Sequence, residues 1–164
     1  MIKNLLFGFI TIMSLNAQDT EPVSWTYEVI KLNSLEYQIS FNADIIDGWK
    51  LYSQFSPEEG SVATSFKFLN NNNNYVADEI FNEEPYTIGY DNVFKMDLFY
   101  FEDKASFNQS LKLNSKDVNQ VKVEVDYSSC DDELCIFRNE TFNIVLDNNK
   151  KIVKDDNVSF SVFG

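Results

Sequence analysis

Cys130 and Cys135 are the only two cysteines in a chain of 164 residues that contains no histidine. They bracket Asp131-Asp132-Glu133-Leu134. Such a pair supports three chemistries. The sulfurs can form a fixed hairpin bond, they can open and close in thiol–disulfide exchange, or they can join Asp131, Asp132 or Glu133 around a metal. The spacing suits no standard ligand set, and no D-x-D-x-D-G calcium loop is present, so neither a metal nor a cofactor is expected. A disulfide here closes a loop of about six residues, worth roughly 2 kcal/mol in chain entropy, against ~4.7 kcal/mol for a loop of ~100. As a staple it is poorly placed, since a structural bridge does more by joining two sheets. A local pair is better suited to opening and closing. The three acids disfavour thiolate and should hold the reduced thiols above the free value of about 8.5. Arg138 offsets that charge if it folds back toward the pair. The expected behaviour is a quiet thiol that reacts when a partner docks.

Other function classes fall away on composition. Without histidine there is no Ser-His-Asp or Cys-His hydrolase and no imidazole zinc site. With 13 Lys+Arg against 26 Asp+Glu, the net charge of -13 argues against nucleic acid as a partner. The pair also needs an oxidising compartment. Residues 1–17 supply the address: Lys3, an apolar run over 5–13, and a polar stretch ending at Ala17. This predicts a secretory signal peptide over 1–17, a single domain over 18–164, and a periplasmic or secreted location. No other apolar stretch approaches the ~18–20 residues that span a bilayer.

The elements that must position the sulfurs read as strands. Alternation runs through 25–31, through Leu35, Tyr37, Ile39 and Phe41, and through 49–54 after an Asp47-Gly48 turn. Segment 65–69 is short and apolar, and 75–80 is a weaker candidate. The run 96–101 is nearly continuous and suits a strand buried on both faces. Ala105 to Leu113 keeps period two, with Gln109 breaking it. Val121, Val123, Val125 and Tyr127 alternate most cleanly. Phe142, Ile144 and Leu146 follow, then Val158, Phe160 and Val162. No window carries a helical stripe. The expectation is an all-β, immunoglobulin-like antiparallel β-sandwich whose core is built from many of the 15 Phe and 8 Tyr. The asparagines at 70–74 suggest a hairpin tip. Residues 81–94 form a long aromatic connection, either a lid or a minor core on the sandwich edge.

At Asp47-Gly48-Trp49-Lys50-Leu51-Tyr52, Tyr90-Asp91-Asn92-Val93-Phe94, Tyr100-Phe101-Glu102 and Cys130-Asp131-Asp132-Glu133-Leu134-Cys135, the chain resembles the N-terminal periplasmic domain of the thiol:disulfide interchange protein DsbD. Pro57 also follows at about the expected distance. The likeness extends over roughly 25–146. The resemblance implies an immunoglobulin-like domain whose cysteines, here Cys130 and Cys135, take electrons from a membrane or thioredoxin-like donor and pass them to oxidised periplasmic client proteins. It implies Tyr52 beside the sulfurs and a cap within 81–94, with Tyr86 the first choice of shielding aromatic and Phe81 and Tyr90 behind it. Where the family usually has Pro-Pro after the second cysteine, Ile136-Phe137-Arg138 stands here. With no donor domain in the sequence, the electron source is expected to be a separate protein. The alternative is a non-enzymatic immunoglobulin-like protein-binding module with an inert hairpin disulfide.

Overall fold

Strand-forming residues at every second position dictate the architecture. A pleated strand sends successive side chains to opposite faces, so Val23, Trp25, Tyr27 and Val29 all go inward from one segment, and Tyr37, Ile39, Phe41, Ala43 and Ile45 from the next. The computed structural model describes residues 21–146, apart from 58, 70, 71 and 79, together with the strand Lys151–Ile152. The predicted leader over 1–17 and the predicted strand around Phe160 lie outside the described residues.

In chain order the strands are β1 (Val23–Lys31), β2 (Glu36–Ile45), β3 (Lys50–Tyr52), β4 (Ser65–Leu69), β5 (Tyr75–Val76), β6 (Asn82–Glu83), β7 (Thr87–Asp91), β8 (Met96–Phe101), β9 (Lys104–Leu113), β10 (Gln120–Cys130), β11 (Cys135–Val145) and β12 (Lys151–Ile152). No helix occurs among the described residues. The first sheet runs β12-β1-β2-β9-β5, with β6 also on β9. The second runs β11-β10-β3-β8-β7, with β4 also on β10. All pairings are antiparallel, and the two sheets make an immunoglobulin-like sandwich.

Aromatic rings fill the space between the sheets. Phe66 stacks on Phe81 with centroids 4.1 Å apart, and Phe41 and Phe107 lie 5.2 and 5.1 Å from Phe66. Trp25 meets Tyr127 at 5.5 Å. Each such ring contributes by removing apolar area from water, and the tilted and edge-on contacts add to that. Gln109 breaks the alternation yet is buried, because its amide nitrogen donates to the carbonyls of Asp78 and Ile80 at 2.7 and 3.2 Å.

Two sequence expectations are corrected. The expected hairpin at the asparagines does not form: β4 pairs with β10 in one sheet and β5 with β9 in the other, so the strands on either side of the asparagines belong to different sheets, Asn70 and Asn71 themselves lying outside the described residues. Asn72 and Asn73 take positive φ, at 44° and 61°, which asparagine tolerates. The long connection expected at 81–94, lid or minor core on the sandwich edge, is in part regular strand. It contains β6 and β7, and β7 closes the edge of the second sheet by pairing with β8 from Thr87↔Tyr100 to Asp91↔Met96. The run 96–101 does serve both faces: Leu98 packs in one apolar cluster and Phe101 in the other.

Candidate functional site

The placement of the sulfurs follows from the length of β10. Its earlier residues, Lys122 to Asp126, pair with β4, and its last two, Ser129 and Cys130, pair with β3. Its other edge pairs with β11 along its whole length, ending at Cys130↔Cys135. Val121, Val123, Val125 and Tyr127 point into the sandwich, so by alternation Cys130 points out of it. The two cysteines form a disulfide straight across the hairpin mouth, with Cα atoms 4.1 Å apart.

Asp131 makes the turn possible. Its carboxylate Oδ1 accepts the backbone N–H of Glu133 at 2.8 Å and of Leu134 at 2.6 Å. Its own N–H donates to the Leu134 carbonyl at 3.0 Å. The hydrogen bonds from Glu133 and Leu134 hold the Asp131 carboxyl below its ordinary range. Its charge is thus engaged by the turn itself. Asp132 and Glu133 are exposed. Arg138 does not fold back to offset these acids; its guanidinium meets Glu21 at 3.1 Å. The stretch Ile136-Phe137-Arg138 continues β11 without a break, opposite Ser129, Ser128 and Tyr127. Ladder hydrogen bonds, unavailable to proline nitrogens, hold the hairpin exit here.

A second, smaller apolar cluster surrounds the sulfurs on this outer face. Tyr52, Leu98 and Cys130 are buried in it, and Phe94, Met96, Tyr100 and Cys135 pack around them. Cys130 is 1% exposed, whereas Cys135 is half-buried. The pair is therefore asymmetric in burial: Cys130 is covered, and part of Cys135 meets solvent. Two segments supply the cover. The connection after β3 returns at Gly60, where a Cβ would lie 2.5 Å from Leu98 Cδ2. The tip of the β7–β8 hairpin, 91–95, carries Phe94, whose ring meets Tyr52 edge-on at 6.3 Å.

That tip is tied down by one buried carboxylate. Asp91 Oδ1 accepts the N–H groups of Val93 at 2.8 Å and Phe94 at 3.1 Å. Its Oδ2 accepts the Tyr52 hydroxyl at 3.0 Å. Burial, then the hydrogen bond and charge of Asp91, push the Tyr52 hydroxyl far above its usual range, so it stays a neutral donor. Lys95 ends the turn at φ 61°.

Of the residues expected around the pair, Tyr52 shares an apolar cluster with Cys130 and Cys135. Phe81, Tyr86 and Tyr90 are not brought to the sulfurs. Phe81 is buried in the main core between Phe66 and Phe68. Tyr86 packs on the same core and stacks on Phe99 at 5.0 Å. Tyr90 is 57% exposed on β7. The aromatic that segment 81–94 brings to the cluster is Phe94. Its signal in the sequence is Asp91 three residues earlier, since an aspartate commonly accepts the next N–H groups of a tight turn.

A β-sandwich that carries a cross-strand disulfide on the outer face of one sheet, half-covered by a pinned hairpin tip, defines a class of disulfide-bearing immunoglobulin-like modules. The chain belongs to the family described as thiol:disulfide interchange protein DsbD, N-terminal, which matches residues 20–147. Comparison with curated protein sequences finds no match. Among solved structures the chain is similar to the N-terminal periplasmic domain of ScsB from Proteus mirabilis, with a TM-score of 0.63 and 18% identity, over 82% of this chain and 51% of that one. It thus spans about half the length of that structure. The DsbD N-terminal domain of Neisseria meningitidis in the reduced form matches 80% of this chain and 91% of its own, at 12% identity and a TM-score of 0.44. A complex of the DsbD and PilB N-terminal domains from Neisseria meningitidis matches at 12% identity and a TM-score of 0.44, over 77% of this chain and 86% of that one. At these identities the likeness is one of fold.

Proposed function

We propose that this chain is an exported thiol–disulfide exchange module working through Cys130 and Cys135. The observation that carries the reading is the asymmetry of the pair: a local bond across one hairpin, with Cys135 half-buried and Cys130 buried in one cluster with Tyr52 and Leu98, on which Phe94 packs. Membership of the interchange-protein family supports it. A donor thiolate attacks Cys135 Sγ, the S–S bond breaks, and its electron pair leaves on Cys130 Sγ. The donor's second thiol gives its proton to solvent and attacks its own sulfur in the mixed disulfide, releasing Cys135 as thiolate. The donor ends as a disulfide and this chain, once both sulfurs take protons from solvent, as a dithiol, two electrons having moved. Reversal of these steps on an oxidised client protein returns the pair to its disulfide.

The donor in this reading is a thioredoxin-like protein or domain, or a membrane electron-transfer protein, and the clients are oxidised periplasmic proteins. One related DsbD domain is known in complex with a PilB N-terminal domain. The location follows from a signal peptide over 1–17 removed after export. Exposed Leu134 and Val93, on the two tips that flank the site, give a docking partner apolar contact. The 91–95 tip acts as the cap, moving aside when a partner arrives.

The test is reduction by protein. A reduced thioredoxin-like domain, mixed at equal concentration, should convert the pair to free thiols countable by alkylation and mass. A disulfide untouched after prolonged incubation would assign the bond to structure and leave a binding module.

A further inference from the structure

The sequence sets three acids against the formation of thiolate, and Arg138 is engaged elsewhere. A different cation stands at the pair. Lys50 is the residue directly opposite Cys130 in the β10–β3 ladder. Directly opposed residues of an antiparallel pair leave the sheet on one face, with Cβ atoms about 4.5–5.5 Å apart. Cys130 therefore has Cys135 on one side and Lys50 on the other. The lysine stem is half-buried, and its Nζ lies over the Tyr100 ring, 5.0 Å from the centroid. Tyr100 lies on β8, across β3 from Cys130, and packs on the cysteine cluster, so this contact keeps the ammonium on the outer face of the sheet that also carries the sulfurs. The ring lies there because residue 89 is glycine: a Cβ at Gly89 would stand 2.7 Å from Tyr100 Oη.

The other ionisable groups on the elements around Cys130 are few. Tyr52 is held neutral. Asp91 is engaged by Tyr52 and the 91–95 turn, and Asp131 by its own turn. Glu59, Lys95, Asp97, Glu102, Asp132 and Glu133 are exposed to solvent, which screens them.

We propose that Lys50 is a positioning residue for exchange: its ammonium stabilises negative charge on Cys130 Sγ. The proposal rests on the exchange reading above and goes beyond it. When a donor attacks Cys135, the charge that appears on the leaving sulfur appears beside Lys50. A leaving thiolate stabilised in this way departs faster. Lys50 thus divides the labour between the sulfurs, with Cys135 the atom attacked and Cys130 the atom that leaves.

The test uses the full chain with Lys50→Met and Lys50→Arg. Titrating the fully reduced proteins by ultraviolet thiolate absorbance reads charge stabilisation directly. In Lys50→Met the first thiolate midpoint should rise by about one pH unit. Reduction of its disulfide by dithiothreitol at neutral pH should slow by about threefold, as a shift of that size in the leaving thiol implies. Lys50→Arg should behave like the unaltered chain in both measurements, which a loss of packing alone would not produce. High salt should narrow the gap between the Met variant and the unaltered chain. An unchanged thiolate midpoint and reduction rate in Lys50→Met would overturn the proposal. The titration does not depend on any protein partner. A raised midpoint with no reduction of the unaltered chain by a thioredoxin-like domain would therefore refute the exchange reading while leaving the charge effect of Lys50 in place.

Discussion

Serine in place of Cys130 should yield a chain that captures its partner and does not release it. The half-buried Cys135 remains free to attack an oxidised partner, forming a mixed disulfide. Resolution from this side needs the second thiol, which the substitution removes. The covalent complex should therefore accumulate close to stoichiometrically on a non-reducing gel with a thioredoxin-like domain whose second cysteine is replaced by serine and whose remaining cysteine carries a nitrothiobenzoate disulfide, the nitrothiobenzoate thiolate leaving as Cys135 attacks. The reciprocal variant, Cys135→Ser, keeps only the sulfur that is 1% exposed, and should trap at least about tenfold less. Equal trapping by the two variants would contradict the division of roles.

The second large effect is expected at Asp91. Alanine there removes three hydrogen bonds at once, to Tyr52, Val93 and Phe94. It also leaves the Tyr52 hydroxyl, in a side chain with no exposed surface, without its acceptor. Bonds to a charged group contribute about 1.5–3 kcal/mol each, and an unsatisfied buried hydroxyl costs about 1–3 kcal/mol; most of this sum is recovered, because the carboxylate no longer has to be buried and water reaches the turn N–H groups of Val93 and Phe94. A net loss of roughly 2–4 kcal/mol should appear in urea unfolding followed by fluorescence. The same change frees the tip that carries Phe94. Alkylation of the reduced cysteines under native conditions should then quicken by about tenfold, reflecting local opening at a cost lower by about 1.4 kcal/mol. The variant Asp91→Asn keeps an acceptor for the turn and should recover much of both effects. If Asp91→Ala unfolds at lower urea with no change in alkylation rate, the tip stabilises the fold without shielding the sulfurs.

The parts legible in the sequence are those set by neighbours along the chain. Period two is a local property, so Val121 to Tyr127 declared a strand, and Ser65 to Leu69 and Met96 to Phe101 matched their observed bounds. The sheet each strand joins is decided by pairings far apart in sequence. That is why the asparagines suggest a hairpin tip although β4 and β5, on either side of them, belong to different sheets. The cap shows the same limit. Aromatic residues at 81, 86, 90 and 94 have no periodicity that separates core from cover. Phe81 was drawn into the main core by Phe66 and Phe68, and Tyr86 by Phe99. Phe94 became the covering ring because Asp91 bends the chain there. Lys50 was half legible: alternation puts it on the face of Tyr52, but only the long-range register sets it opposite Cys130.

Measurement of the equilibrium potential of the Cys130–Cys135 pair tests the central claim most directly. Equilibration of the full chain in graded dithiol buffers, followed by acid quenching and alkylation, gives the fraction oxidised at each poise. A pair that trades electrons with thioredoxin-like proteins should have a potential above about −300 mV, near the range those proteins occupy. A value well below about −300 mV would make the bond too stable for such a donor to open, and would contradict the account.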